Sequence, residues 1–300
     1  MLAPFDLVEV EPGRRLHVCV EGPVDAPWVV FDHGAFGSYT DGWWIKEALK
    51  ADHRVVLYGR AGMDWSDPAP EGTPLSPEFH VADLRRLLDE LGARPPYVLV
   101  GHSMAGLRLH AYANLHPDEI AGRVFVDAMN PANLRRKGGM RLLEAFSVLL
   151  RMGRLASKIG ALNLIAPFTG DDIDLPKERK LEKRFLFRKT DHWTAALGEV
   201  LATEPEAACF DQSIPVTTPV SVFSREADGG ENAGIVKSVS NQGGYGRLFA
   251  LEGETHTSLL NPHHAARIAR EVRYMTRIQV PWSRTSPPDK AMHDQSEIGV

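Results

Sequence analysis

The stretch that decides the fold is YVLVGHSMAG, residues 97–106, which joins an apolar run to a helical segment through a tight turn. The apolar run is strand-like, and the helical segment extends to His116, where Pro117 ends it. A serine on such a turn holds its Oγ clear of the sheet, while the free N–H groups of the helix N-terminus face a developing negative charge. The stretch therefore predicts that Ser103 is a nucleophile on a strand-to-helix turn.

On both sides of this turn, short apolar runs alternate with segments of helical periodicity, which is typical of βαβ units around a mainly parallel sheet. A helix is predicted over Pro77–Leu91 and another over Pro262–Arg277, because apolar residues recur there at helical spacing. The predicted strands are Leu7–Val10, Leu16–Val20, Trp28–Asp32, Val55–Tyr58, Tyr97–Val100, Val124–Asp127, Val220–Phe223 and Leu248–Leu251.

The alternation stops over residues 131–215, which read as basic and helical and which we interpret as an inserted helical cap. The core is then predicted to comprise 1–130 and 216–280, and the polar segment 281–300 is expected to be disordered. The amphipathic cap stretch has two interpretations. Its apolar face could cover a pocket as a lid, or it could lie on a membrane surface.

Bulk properties exclude several classes. The chain has 300 residues and a net charge of −5 with no long basic run, which predicts no nucleic-acid partner. Its two cysteines are too few for a disulfide framework. No apolar run is long enough to span a bilayer, and the N-terminal residues show no secretory signal, so we expect a cytoplasmic protein without a transmembrane segment.

Three further motifs accompany the serine turn. HGAFG, residues 33–37, follows an apolar strand; GRAGMDWSD, residues 59–67, follows the next one; and GETHT, residues 253–257, follows the last. With these motifs the chain resembles the α/β-hydrolase fold superfamily over nearly its whole length before residue 281. The resemblance implies an α/β fold with a mainly parallel eight-stranded sheet, flanked by helices and carrying an inserted helical cap.

The resemblance also implies an oxyanion hole formed by the N–H groups of Ala35 and Met104, with Phe36 as an alternative to Ala35. Two departures from the family pattern stand out. Ala105 replaces the usual second glycine of the serine turn, and the loop after the fourth strand has Gly59 where Asp is usual and Asp64 where Gly is usual. We expect that loop to be shaped differently.

His256 is the predicted general base, because imidazole titrates near neutrality and can accept the Ser103 proton and then pass it to a leaving group. The acid that orients it is assigned to Asp228, which follows the strand after the cap. Asp127, at the end of the strand after the serine helix, is the alternative, because some relatives place the acid there. Asp228 is preferred, since a strand-end aspartate can equally cap a turn. Glu226 is a third candidate.

The predicted function is hydrolysis of a carboxylic ester or lactone of a hydrophobic small molecule through an acyl-enzyme, without cofactor or metal. Phe36, Trp43, Met129 and Trp193 are the predicted substrate-binding residues. Alternatives on the same triad are an amidase or imino-peptidase, an acyltransferase, a perhydrolase and a hydroxynitrile lyase. A ligand receptor of the same fold is a further alternative. Epoxide hydrolases and haloalkane dehalogenases are disfavoured, because both need a carboxylate where this chain has Ser103.

Overall fold

A computed structural model describes residues 6–135, 138–163, 173–203, 218–226 and 230–278. Its eight strands form one sheet in the order β1-β2-β4-β3-β5-β6-β7-β8. Strand β2 is antiparallel to both neighbours, and the remaining pairs are parallel. The strands are β1 (Asp6–Glu11), β2 (Arg14–Glu21), β3 (Trp28–Asp32), β4 (Arg54–Tyr58), β5 (Tyr97–His102), β6 (Ile120–Val126), β7 (Val220–Ser224) and β8 (Gly246–Ala250). The predicted fold class is confirmed, and each predicted strand overlaps an observed one.

The central strands are buried on both faces, which explains their continuous apolar sequences. Side chains alternate between the faces, so that in β3 Val29 and Phe31 join one apolar cluster and Val30 joins the other. The sheet therefore separates two apolar layers that only helices can cover.

The helices are α1 (Trp43–Leu49), α2 (Pro77–Glu90), α3 (Ala105–Leu115), α4 (Pro131–Arg135), α5 (Gly139–Lys158), α6 (Lys177–Leu186), α7 (Thr190–Leu201), α8 (Ala233–Asn241) and α9 (Pro262–Ile278). Helices α1 and α9 pack on one face of the sheet, and α2, α3 and α8 on the other. Helix α2 starts where the sequence predicts, because the Ser76 hydroxyl accepts the Phe79 N–H and Pro77 occupies the first turn.

The described residues between β6 and β7 include helices α4 to α7 and contribute no strand to the sheet. We call these four helices the cap. A third apolar cluster joins the cap to the core and includes Leu143, Leu150 and Val200 from the cap with Ala35 and Met104 from the core. In the described ranges no helix is both long and apolar enough to cross a membrane.

Candidate active site

The predicted nucleophile lies directly after β5, and α3 begins two residues later. Ser103 has a φ of 57°, in the left-handed region that non-glycine residues rarely adopt. Its N–H donates to the Val126 carbonyl at 3.2 Å, and its carbonyl accepts the N–H groups of Gly106 at 3.0 Å and Met129 at 2.8 Å. The serine is therefore held on a strained turn whose backbone is bonded to the loop that follows β6.

Glycines allow the backbone segments around Ser103 to approach one another. A Cβ at Gly106 would lie 2.2 Å from the Met129 carbonyl oxygen, and one at Gly101 would lie 2.8 Å from Leu109. A Cβ at Gly34 would lie 3.0 Å from the Ser103 Cβ and 3.4 Å from its Oγ. Residues 33–37, which we call the HG loop, thus lie against the serine. Ala105, in place of the usual glycine, is fully buried in this packing.

His256 lies in the loop after β8, and its Nδ1–H donates to Asp127 Oδ2 at 2.5 Å. Its backbone carbonyl accepts the Nε2–H of His102 at 2.9 Å, which ties the loop to the residue before Ser103. With Nδ1 facing the carboxylate as a donor, the imidazole keeps Nε2 as an acceptor. Ser103 and His256 line the same cavity.

Asp127 follows β6 directly, with a φ of 41°, and its N–H donates to the Phe223 carbonyl at 2.7 Å. Its Oδ2 also accepts the Nε–H of Arg225 at 2.6 Å. Burial alone would raise the pKa of the Asp127 carboxyl, but the hydrogen bonds from His256 and Arg225 lower it to about 2. Asp127 is thus an ionised carboxylate in contact with the imidazole.

Of the acids that the sequence leaves open, Asp127 is the one that the structure places on His256. Asp228 falls in 227–229, outside the described residues, so its assignment stays a prediction. The Glu226 N–H donates to the Ser224 hydroxyl, and its carboxylate lies beside the backbone of Gly230.

Two buried arginines donate hydrogen bonds to backbone carbonyls of the HG loop. Arg60 donates to the Gly34 carbonyl at 2.9 Å and to the His33 carbonyl at 2.8 Å, and Arg108 donates to the His33 carbonyl at 2.7 Å. A trans peptide points its C=O and N–H in opposite directions. Because the Gly34 carbonyl is directed at Arg60, the Ala35 N–H of the same peptide is directed away from it.

The two guanidinium groups are neutralised by carboxylates that are equally buried. Asp32, at the end of β3, accepts from Arg60 and Arg108 at 2.6 Å each. Glu199, on cap helix α7, accepts from Arg60 at 2.5 Å and 2.9 Å. We call Asp32, Arg60, Arg108 and Glu199 the inner ionic cluster. Through Glu199 it connects the cap to the HG loop.

The two departures from the family pattern in the loop after β4, at Gly59 and Asp64, compensate for each other. A Cβ at Gly59 would lie 2.8 Å from the Asp64 Cβ and 3.0 Å from its Oδ2, so the Asp64 carboxyl fills the space beside Gly59. Asp64 adopts a φ of 51°, and its Oδ2 accepts the Tyr39 N–H at 2.9 Å. Complete burial raises the pKa of this carboxyl to about 7.

The cavity has a volume of about 570 Å³ and lies between the HG loop, the serine turn and the cap. Phe36, Met129 and Trp193 line it, as do the candidate oxyanion residues Ala35 and Met104. Trp43 does not belong to the lining found among the described residues. Its ring lies 3.6 Å from the Lys46 ammonium and 5.2 Å from the Arg179 guanidinium. Trp43 is the first residue of α1, so its position soon after the HG loop in the sequence does not place it in the cavity, as the substrate-binding prediction required.

No sequence motif assigns a role to the inner ionic cluster or to Arg225. A signal was present for two of its members, because Arg108 and Glu199 each place a charge among the mostly apolar buried residues of a helix. Nothing local pairs them, since they are 91 residues apart in the chain, and Glu199 meets Arg60 and Arg108 only after the cap has folded onto the core.

A family model described as "alpha/beta hydrolase fold" matches residues 27–146, which contain the HG loop, Ser103 and Asp127. The chain has the α/β-hydrolase fold. A solved structure titled "Structure of a putative epoxide hydrolase from Pseudomonas aeruginosa" superposes with a TM-score of 0.73 over 93% of this chain and 99% of that one, at 20% identity. At that identity the likeness shows the fold alone.

Curated relatives are more varied. "Putative carbamate hydrolase RutD" of Variovorax paradoxus is 27% identical over 71% of this chain and 84% of its own length. "Probable transporter efuK" of Hormonema carpetanum is 35% identical over 38% of this chain and 17% of its length. The chain spans 33% of another relative, which is 31% identical. The names of these relatives thus do not agree on a single activity.

Proposed function

We propose that this protein is a serine hydrolase that cleaves a carboxylic ester or lactone of a hydrophobic small molecule through an acyl-enzyme. The observation that carries the proposal is the 2.5 Å hydrogen bond from His256 Nδ1 to Asp127, made in the cavity that Ser103 also lines. It orients an imidazole in the tautomer whose free nitrogen can act as a base.

In the proposed reaction, Nε2 of His256 takes the Ser103 hydroxyl proton while Oγ bonds to the acyl carbon. The carbonyl electron pair moves onto oxygen to give a tetrahedral oxyanion. Collapse of this intermediate expels the alkoxide, which leaves as the alcohol after His256 returns the proton. A water then repeats the sequence on the acyl-serine and releases the carboxylic acid. Asp127, not Asp228, is our proposed acid.

The proposed oxyanion donors are the N–H groups of Ala35 and Met104. Met104 precedes the first residue of α3, where backbone N–H groups are free of helix partners. Ala35 is favoured over Phe36, because the hydrogen bond from Arg60 to the Gly34 carbonyl fixes the direction of the Ala35 N–H. Charge on Arg60 also polarises that peptide, which strengthens the Ala35 N–H as a donor.

The lining supports an apolar substrate. Besides Phe36, Met129 and Trp193, it includes Leu143, Phe146 and Phe187. A lining that is mostly apolar with a few convergent polar groups is typical of small-molecule sites. The lining also includes four charged residues, Asp41, Lys183, Arg184 and Arg188, of which Asp41 and Lys183 are paired with each other at 2.5 Å.

The test is labelling with a fluorophosphonate probe beside turnover of p-nitrophenyl esters of rising acyl length, with lactone and amide panels. Wild type is expected to be labelled and to prefer esters or lactones. Ser103→Ala should lose labelling and up to about 10⁶ in rate while it stays folded. Labelling of the alanine variant, or wild-type turnover confined to amides, would overturn the proposal.

A further inference from the structure

Helix α5 carries a row of large apolar side chains that no described part of the chain covers. Six of them are between 54% and 73% exposed. They recur at helical spacing along the helix and the residue that follows it, which places them on one side. We call this set the outer stripe: Leu142, Val148, Leu149, Met152, Leu155 and Ile159.

A different side of α5 packs inward. Leu143, Ser147, Leu150 and Gly153 are buried, and α5 lies against α7. Gly153 leaves room for the Trp193 ring, since a Cβ there would lie 1.9 Å from it. The lid function of this helix is therefore performed by its buried side, and the outer stripe is left for another contact.

Positive charge accompanies the outer stripe. Arg151 and Lys158, which are both exposed, lie on α5 beside it. Residues 131–203 contain 14 Lys and Arg against 8 Asp and Glu, a net charge of +6, whereas the whole chain has −5. An anionic surface would thus attract the cap and repel the rest of the protein.

We infer that the outer stripe docks on an anionic lipid surface, with the apolar side chains entering the interface and the cations facing the phosphates. Exposed apolar side chains flanked by Lys and Arg on one helix have the composition of interfacial helices. Leu142 belongs to the stripe and also lines the cavity, so the docked face adjoins the site. This last step rests on the proposed function and makes lipid-dissolved esters the substrate class.

A second copy of the chain fits the stripe less well. In a two-fold pairing identical surfaces face each other, so that the cations of one α5 would approach those of the other. The experiment must therefore distinguish a dimer of the chain from binding to vesicles.

The experiment is co-sedimentation of the full chain with phosphatidylcholine vesicles, with or without phosphatidylserine, at low and high salt. Wild type should bind the phosphatidylserine vesicles, and salt should weaken that binding. The double variant Leu149→Asp/Met152→Asp should bind at least about tenfold more weakly, because each change removes the burial of one large apolar side chain. Arg151→Glu/Lys158→Glu should abolish the preference for phosphatidylserine.

The matched control is Val24→Asp, an equally exposed apolar residue before β3 that should bind as wild type. Circular dichroism and probe labelling in buffer must match among the variants. The inference is overturned if wild type ignores phosphatidylserine vesicles, if Leu149→Asp/Met152→Asp binds normally, or if light scattering shows a dimer that this variant dissociates. Loss of probe labelling with intact vesicle binding would instead count against the proposed function alone.

Discussion

The inner side of the cap contributes charge to a buried cluster, while its outer side exposes large apolar side chains. Glu199 is 1% exposed and bonded to Arg60, whereas Met152, on the neighbouring helix α5, is 66% exposed. Glu199 and Met152 thus reverse the usual distribution, in which charged side chains are exposed to solvent and large apolar ones are buried. Burial strengthens ionic contacts, which suits the proposed role of the HG loop as a source of fixed N–H donors. Exposed apolar surface suits a contact that forms and breaks.

The largest expected effect is that of a change at Asp127, whose partly buried carboxylate accepts a hydrogen bond from His256. Asp127→Asn should lower kcat by about 10⁴, because the amide no longer holds His256 in its productive tautomer. Asp228→Asn, the acid favoured by sequence position, should change kcat by no more than a few-fold. Thermal midpoints must accompany the rates. A large kinetic loss in the Asp228 variant with a normal Asp127 variant would reverse the assignment.

Two arginines of the inner ionic cluster should differ in their effect on kcat. Arg60→Lys should lower kcat by about tenfold or more with little change in KM, since the Gly34 carbonyl loses a fixed cationic donor and the oxyanion hole loses its preorganisation. Arg108→Lys is the control, because Arg108 contacts Asp32 and the His33 carbonyl without reaching that of Gly34.

Inhibition by a boronic acid, which forms an anionic adduct on the serine, should weaken in parallel with kcat in the Arg60 variant. A merely structural role would move the thermal midpoint in both variants and leave inhibitor affinity alike. Equal kcat losses in the two variants would contradict the proposed part of Arg60.

The two sides of α5 should differ in their effect on substrate selectivity. Leu143→Asp places charge in the cavity and should lower kcat/KM for long acyl esters by about tenfold relative to short ones. Leu149→Asp, on the outer stripe, should leave kcat/KM for water-soluble esters within about twofold. Steady-state kinetics across the p-nitrophenyl panel measure both, and probe labelling reports whether Ser103 is intact. Similar selectivity changes in both variants would mean that the two sides of α5 are not functionally distinct.

The smallest expected effect is on stability and comes from Asp64. Burial raises the pKa of this carboxyl from 3.8 to about 7, so its contribution to stability is complete below pH 3.8 and is lost as the pH rises through 7. Asp64→Asn cannot ionise and tolerates the left-handed backbone. As the pH is raised from 5 to 8, the thermal midpoint of this variant should rise relative to that of wild type. Parallel midpoint curves over this range would show that Asp64 does not titrate there.

Much of the fold could be predicted from the sequence, because the determining signals are local. Short, largely apolar runs between turn residues indicated the eight strands, and the strand-glycine-histidine-serine order around residue 103 indicated the turn at which φ reaches 57°. The loops that carry Ala35 and His256 follow β3 and β8, so parallel strands bring them to one edge of the sheet. These residues line the cavity for that reason.

Tertiary structure decided what local patterns leave open. Asp127 and His256 are 129 residues apart, and only the adjacency of β6, β7 and β8 brings the strand-end carboxylate to the imidazole. The Asp64 carboxyl takes the place beside Gly59 because a left-handed backbone turns it back toward β4, which a linear motif cannot express. The sequence could likewise show that α5 is amphipathic and basic. Which of its apolar residues pack on α7 and which stay exposed depends on the helix's rotation about its own axis, and contacts between distant segments set that rotation.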